Sequence, residues 1–426
     1  MHQFQFKGRE LFAEGVPVSK IAKEVGTPFY LYSIGTFLDH YRKLKLAFKA
    51  ADPLICFSTK ANSNLTVLKA LVAHGSGLDI VSGGELYRAA KVGADPSKIV
   101  FASVGKKEEE IEAAIQAGIL MFNVESAQEL DRINAVACRF KKAQKVAIRL
   151  NPDVAPDTHH YITTGGKQNK FGIDRDTAYK LFSESYRYPF LRFAGVHIHI
   201  GSQITSAKPF VQAIKRALQF IDSVRLIGNP VEYLNIGGGL GIIYSKEKPQ
   251  SAKEFASAVL PLFKNYDLKK GLKIILEPGR FIFGNSGILV TKVLYQKTSS
   301  NKTFVIVDGG MNDLIRPSFY GAYHEIVPVV RKKGKIRDAH VDIVGPICES
   351  GDFLAKDRKL PPVGNGDLLA VMSCGAYGFV MSSNYNSRPR VPEVVVRGKQ
   401  FFVARRRETL ADLVRGERIV TEVCAR

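Results

Sequence analysis

The chain has 426 residues, of which 45% are hydrophobic and 10% aromatic, and a formal net charge of +21. That length is too great for one ordinary core and predicts a large domain of about 250 residues with a smaller one beside it. No apolar run approaches the ~18 residues of a membrane span, and the opening MHQFQFKGRE has no signal-peptide pattern, so a cytoplasmic protein with no membrane partner is expected.

Residues 1–33 read as a prelude, with a strand over 29–32 after Thr27-Pro28. A helix over 34–49 leads into PLICFSTKAN (53–62). The apolar run 54–57 in that stretch predicts a buried strand, with Lys60 just past its end. From there a strand–helix rhythm repeats. Helix 64–74 carries Leu65, Leu68, Leu71 and Val72 on one face. Strand 78–81 turns through Ser82-Gly83-Gly84-Glu85 into another helix. Strand 98–102 precedes a helix over 108–116 that Gly118 stops. Strand 119–124 precedes a helix over 126–136, where Ser126 with Glu129 three residues on resembles a capping box. Strand 145–150 is followed by a polar loop through His159, His160 and Lys167. Helix 176–184, strand 193–200, helix 209–225, strand 233–236, helix 253–263 and strand 273–276 complete the series.

Eight short strands with polar or glycine-rich ends predict a closed (β/α)8 TIM barrel over 34–283, with an open doubly wound sheet as the alternative. Past residue 284 the texture changes. Runs at 288–296, 303–307, 340–344, 368–371, 394–396 and 400–404 are β-branched and aromatic. They predict a second domain over 284–426, a β-sandwich or distorted barrel, with little helix except near 409–415. Part of 1–33 is expected to join it as a strand.

The five cysteines (Cys56, Cys138, Cys348, Cys374 and Cys424) are irregularly spaced and form no CxxC pair. Neither a disulfide scaffold nor a structural zinc is indicated, and Cys56 and Cys138 read as small core residues. The positive charge can steer anions. It is dispersed apart from Arg405, Arg406 and Arg407, and no nucleic-acid-binding signature accompanies it, so no specific nucleic acid is expected.

The residues with chemical potential fall at strand ends. At the mouth of a buried strand, partial desolvation would favour the neutral, nucleophilic amine of Lys60; alternatively it only caps the barrel surface. Gly237-Gly238-Gly239-Leu240-Gly241, with Ser202 from the preceding unit, could cradle a phosphate or simply make a tight turn. It is neither a Walker A loop nor a dinucleotide fingerprint. Glu277 could pair with a pyridine nitrogen or form a salt bridge with Arg280. His197 and His199 share one side of their strand, where one could stack on a cofactor ring or both could be core histidines. No third ligand makes them a metal site.

Lysine, phosphate cradle, carboxylate and aromatic ring together suggest pyridoxal 5′-phosphate. FSTKAN (57–62), HIHIGSQI (197–204), GGGLG (237–241), EPGR (277–280), GPICESGD (345–352) and GAYG (375–378) resemble, in order and spacing, the diaminopimelate decarboxylases. That family lies in the alanine-racemase-like, fold-type III class of pyridoxal-phosphate enzymes, and the resemblance covers nearly the whole chain. It implies decarboxylation of meso-2,6-diaminopimelate to L-lysine. Lys60 would hold the cofactor covalently and then move protons, His199 would stack on the ring, and Glu277 would pair with its nitrogen. Ser202, Gly238, Gly239, Gly279 and the Tyr377 hydroxyl would hold the phosphate, with Arg280 near the cofactor and Asp79 contributing less directly. Arg280, Arg316, Tyr320, Glu349 and Tyr377 would hold the far end of an amino-acid substrate. Cys348 would be the proton donor and, with Glu349, would enter from the other subunit of a homodimer with shared sites. The family often has an aspartate just before GAYG, whereas here Ser373-Cys374 stand there. A decarboxylase of ornithine, arginine or carboxynorspermidine, an amino-acid racemase, and a pyridoxal-phosphate homeostasis protein are the alternatives. Glu277 and the cysteine–glutamate pair speak against the last two.

Overall fold

The structure is a computed structural model that describes residues 2–154, 170–268, 271–300, 302–333 and 339–420. His159, His160, Lys167 and Cys424 lie outside the described residues. The chain forms two compact units, one spanning Ile34–Ser286 and the other combining His2–Ser33 with Gly287–Arg426.

In the first unit eight parallel strands close into a barrel. In chain order they are Leu54–Ser58, Gly77–Ile80, Ile99–Ala102, Met121–Val124, Gln144–Arg149, Leu191–His197, Tyr233–Asn235 and Lys273–Leu276. The eighth strand pairs with the first, Ile275 opposite Leu54, which closes the ring and excludes the open sheet. Helices cover the outer face, so both faces are dry. This is why the strands read as continuous apolar runs rather than alternating ones. Helix Ile34–Ala47 packs against Leu65–Ala73 and Ala252–Val259, covering the seam where the chain enters the barrel.

The barrel interior is layered. Cys56, Val100, Met121, Ala147, Ala194, Tyr233 and Ile275 make an apolar cluster. Two residues further along, on five of these seven strands, stand Ser58, Asn123, Arg149, Asn235 and Glu277, all buried. The period-two alternation of a strand therefore stacks a polar ring on an apolar floor, at the strands' C-terminal ends.

The second unit is built on a mixed nine-stranded sheet. Its main path runs Phe353–Leu360, Ala339–Val344, Lys302–Val307, Gly287–Ser299, Phe29–Ser33, Glu393–Arg397, Gln400–Arg405. Leu368–Val371 also pairs with Gly287–Ser299, and Ile326–Pro328 pairs with Leu368–Val371. The wholly buried strand Phe29–Ser33 sits mid-sheet, antiparallel to Gly287–Ser299 and parallel to Glu393–Arg397. The N-terminal segment adds more than that one strand. A small sheet of Phe4–Lys7, Glu10–Ala13 and Val16–Pro17, with helix Val18–Val25, packs Phe4, Leu11, Val18 and Ile21 against Phe29, Leu31, Ile288, Val290 and Val394.

One expectation fails here. Cys138 is exposed, on the outer face of helix Ala127–Phe140, whereas Cys56 is buried as expected. The cluster Arg405–Arg407 is partly internal to the unit. Arg405 donates to Glu393 at 2.7 Å, and Arg407 to the carbonyls of Gly26 and Pro28. Among the described residues no helix is long and apolar enough to cross a membrane, and no cluster of ligating side chains could hold a metal ion.

Candidate active site

Lys60 lies in the one-turn helix Thr59–Ala61, directly after the first barrel strand. Its Nζ donates to Asp79 Oδ2 at 2.9 Å, with side-chain exposures of 40% for Lys60 and 0% for Asp79. The amine thus stands at the rim, at the mouth of the strand, on a buried carboxylate. Asp79 follows from pairing of the first two strands, where Ser58 lies opposite it. Ser58 Oγ donates to the same Oδ2 at 2.7 Å and lies 3.0 Å from the Glu277 carbonyl. Burial raises the Asp79 carboxyl above its usual range, against the opposing pull of Lys60. Its Oδ1 is buried with no hydrogen-bond partner.

Glu277 follows the eighth strand and is buried. Its Oε1 accepts from Asn235 Nδ2 at 2.6 Å and Asn123 Nδ2 at 3.0 Å, and His197 Nε2 lies 3.2 Å from Oε2. The carboxylate therefore goes to these three side chains, not to the Arg280 partner considered from sequence. Burial alone would raise its pKa, but His197 and Lys60 reverse the direction and hold the carboxyl below its usual range.

The glycine loop runs beside the histidine loop, with Ile204 bridged to Leu240. Gly238 N donates to His199 Nδ1 at 3.2 Å. Burial first, then Arg149 and Lys60, push His199 well below the ordinary imidazole value, which suits a neutral ring accepting at Nδ1. A Cβ on Gly238 would lie 2.1 Å from the Glu277 carbonyl oxygen. Gly239, at φ +102°, would place one 2.3 Å from the Gly201 carbonyl oxygen. Only bare backbone can pass this close. Arg280, buried just after Gly279, donates to Ser202 Oγ from Nε and Nη2 at 3.3 and 3.1 Å, and from Nη1 to the Tyr244 hydroxyl at 2.5 Å. The barrel mouth thus brings together Lys60 with Asp79, His199 with Gly238, and Ser202 with Arg280.

The remaining candidates belong to the second unit. Arg316 is buried, donates from Nε to His324 Nε2 at 3.3 Å, and lies over the Tyr320 ring at 5.8 Å. His324 Nδ1 is 2.9 Å from the Met372 carbonyl, so Nδ1 carries the proton and Nε2 accepts. Asp352 accepts from Met311 N at 2.7 Å and Ile347 N at 2.6 Å, tying the segment before Arg316 to the GPICESGD segment. Cys348 and Glu349 are exposed, and Cys348 N donates to Asn386 Oδ1 at 2.7 Å. Tyr377 adopts φ +58°, a strained backbone for a tyrosine.

Sequence reasoning passed over Asn123 and Asn235. Each stands two residues beyond an inward apolar residue, Met121 or Tyr233, just as Glu277 stands beyond Ile275. That alternation was the available signal. Two buried ion pairs were also missed, Lys106 with Glu129 and Arg149 with Glu125, the latter at 2.5 Å.

Residues 34–284 match the family described as pyridoxal-dependent decarboxylase, pyridoxal binding domain. The chain is 47% identical over 405 residues to the diaminopimelate decarboxylase of Aquifex aeolicus, covering 95% of this chain and 94% of that one. The chain belongs to the diaminopimelate decarboxylase family. Among solved structures, the diaminopimelate decarboxylase of Helicobacter pylori complexed with L-lysine matches with a TM-score of 0.89 at 40% identity. That match covers 93% of this chain and 98% of the other. The enzyme of M. jannaschii in complex with L-lysine matches with a TM-score of 0.92 at 37% identity, covering 99% and 98%. As in a pyridoxal-dependent decarboxylase, the barrel mouth fits the group on its own terms. An amine sits on a buried acid that keeps one oxygen unsatisfied, beside a charged carboxylate and a bare glycine loop flanked by a guanidinium.

Proposed function

We propose that the chain converts meso-2,6-diaminopimelate to L-lysine and carbon dioxide, with pyridoxal phosphate as cofactor. The observation that carries this reading is near-full-length identity with a diaminopimelate decarboxylase. It is joined to a Lys60–Asp79 pair and an ionised Glu277 around one barrel mouth. The L-lysine in the H. pylori and M. jannaschii complexes supports the same product.

When bound, the cofactor supplies a sink for the electron pair left as carbon dioxide departs. Lys60 would hold it through Nζ, and Asp79 would take or return the proton that this amine must lose or gain. Glu277, buried and charged, would keep the ring nitrogen protonated. His199, neutral and braced by Gly238 N, would lie against the ring without adding charge. Ser202, Gly238, Gly239, Gly279 and the Tyr377 hydroxyl would hold the phosphate, with Arg280 balancing its charge through Ser202. Arg280, Arg316, Tyr320, Glu349 and Tyr377 would fix the far carboxylate and amine, orienting the bond to be broken. Cys348 would deliver the proton that replaces the lost carboxylate. A (β/α)8 TIM barrel joined to a β-sandwich or distorted barrel, a cytoplasmic setting, and a homodimer in which Cys348 and Glu349 serve the partner's site complete the proposal.

The test is carbon dioxide release from meso-diaminopimelate, L-ornithine, L-arginine and L-lysine, with chiral identification of the product. L-lysine from diaminopimelate alone is expected; turnover of another substrate in preference overturns the assignment. Lys60→Ala should abolish both turnover and the yellow bound cofactor. Mixing inactive Lys60→Ala with inactive Cys348→Ala should restore part of the activity if sites are shared between subunits, and none if they are not.

A further inference from the structure

The geometry points to Asn123 and Asn235 as positioning residues. Together their amide N–H groups fix one oxygen of Glu277 and leave its other oxygen for the cofactor's ring nitrogen. This deepens the proposed function, because it rests on Glu277 meeting that nitrogen.

Both amides reach the same atom, Glu277 Oε1, at 2.6 Å from Asn235 and 3.0 Å from Asn123. Both asparagines are fully buried, so neither contact competes with water. The amide orientations are forced. Asn235 Oδ1 accepts from Gly237 N at 2.9 Å, and a flipped amide would set oxygen against carboxylate and NH2 against N–H. Asn123 Oδ1 is buried without a partner. That cost is accepted only because the other orientation would point oxygen at a carboxylate. Asn123 is itself pinned, since the buried Lys106 Nζ donates to its backbone carbonyl at 2.9 Å.

Two donors on Oε1 require that oxygen to be an acceptor, so a proton on it would meet both N–H groups. Among the described residues Oε2 takes no amide hydrogen bond, and His197 Nε2 lies 3.2 Å from it. The clamp therefore keeps any proton off Oε1, favours the charged carboxylate and decides which oxygen remains open. Through Gly237 N, Asn235 also ties the carboxylate to the glycine loop, so the parts assigned to ring and phosphate keep a fixed spacing.

A bland alternative exists, in which the amides only fill the polar layer of the barrel. Cofactor discrimination separates the two. Apoenzyme of the wild type and of Asn123→Leu, Asn235→Leu, Asn123→Ala and Glu277→Ala is titrated with pyridoxal phosphate and with its 1-deaza analogue, whose ring carries carbon in place of nitrogen. Leucine keeps the branched, four-heavy-atom side chain and removes the donors, the smaller alanine controls for its extra bulk, and circular dichroism checks folding. The wild type should prefer pyridoxal phosphate, and Glu277→Ala should erase the preference. Each asparagine variant should lower it by about 10-fold or more, as expected for a lost hydrogen bond to a charged group. Equal weakening of both cofactors, with the preference intact, overturns the proposal. A wild type that holds the preference but makes no lysine from diaminopimelate would instead sink the proposed function and leave the clamp standing.

Discussion

Asp79-Ile80-Val81-Ser82-Gly83-Gly84-Glu85-Leu86 and Asn123-Val124-Glu125-Ser126-Ala127-Gln128-Glu129-Leu130 share one local frame at the ends of two barrel strands. In both, the serine caps the following helix by accepting from the glutamate N–H at 3.2 Å. In both, the glutamate turns back to a backbone N–H, Val81 or Glu125, at 2.7 Å. The first residue of each frame points into the polar ring, and there the two part. Asp79 meets an amine and Asn123 meets a carboxylate. The frame decides where the side chain stands, and the neighbour's charge decides what it must be. The glutamates differ too. Burial raises both carboxyls, Glu85 to about 7, but Glu129 also takes the buried Lys106, which opposes the rise.

Exchanging the inward residues breaks the comparison most severely. Asn123→Asp sets a second carboxylate on Glu277, and the pair must share a proton. A kcat loss of about 10³-fold is expected from steady-state kinetics, and near-normal kcat would mean the contact is unimportant. Glu129→Gln comes next, because it leaves Lys106 buried without its acid. Denaturant melts should show a loss of about 3 kcal/mol. Asp79→Asn keeps the shape and removes the charge on Lys60. A kcat loss of about 30-fold is expected, together with loss of whatever part of the acid limb the raised Asp79 carboxyl supplies.

The smallest effect belongs to Glu85→Gln, and it sharpens the contrast with Glu129. The folded value of Glu85, about 7, lies above the ordinary 4.5, so the folded state binds the proton more tightly. Its contribution to stability is therefore full below pH ~4.5, falls as pH rises to ~7, and is flat above. The variant should gain on the wild type across that window, by about 1 kcal/mol once solvent screening of the half-buried carboxyl is allowed for, in melts recorded from pH 4.5 to 8. A constant difference would place the Glu85 proton elsewhere.

The barrel was legible because each strand is a short apolar run cut off by glycine or polar residues, and Lys60, Ser202, the glycine loop and Glu277 all fall at such cuts. The buried amides were not, because nothing in an asparagine's identity announces a carboxylate across a barrel; only its place in the period-two pattern does. Cys138 misled because a small residue late in a helix can face either way. Strand Phe353–Leu360 was hidden by the charges of FLAKDRKL, four of whose eight residues are charged. The hairpin at Phe4–Lys7 and Glu10–Ala13 is shorter than the runs that betray a strand.

Strand Phe29–Ser33 has a consequence for how the molecule comes into being. A ribosome delivers it early, yet its sheet neighbours begin at Gly287 and Glu393, so more than two hundred residues emerge before the first arrives. Until then a largely apolar ribbon waits with both edges bare, in the state most prone to stray pairing. Nascent chains arrested before residue 287 should hold a barrel able to mature and an amino-terminal tail in need of a chaperone.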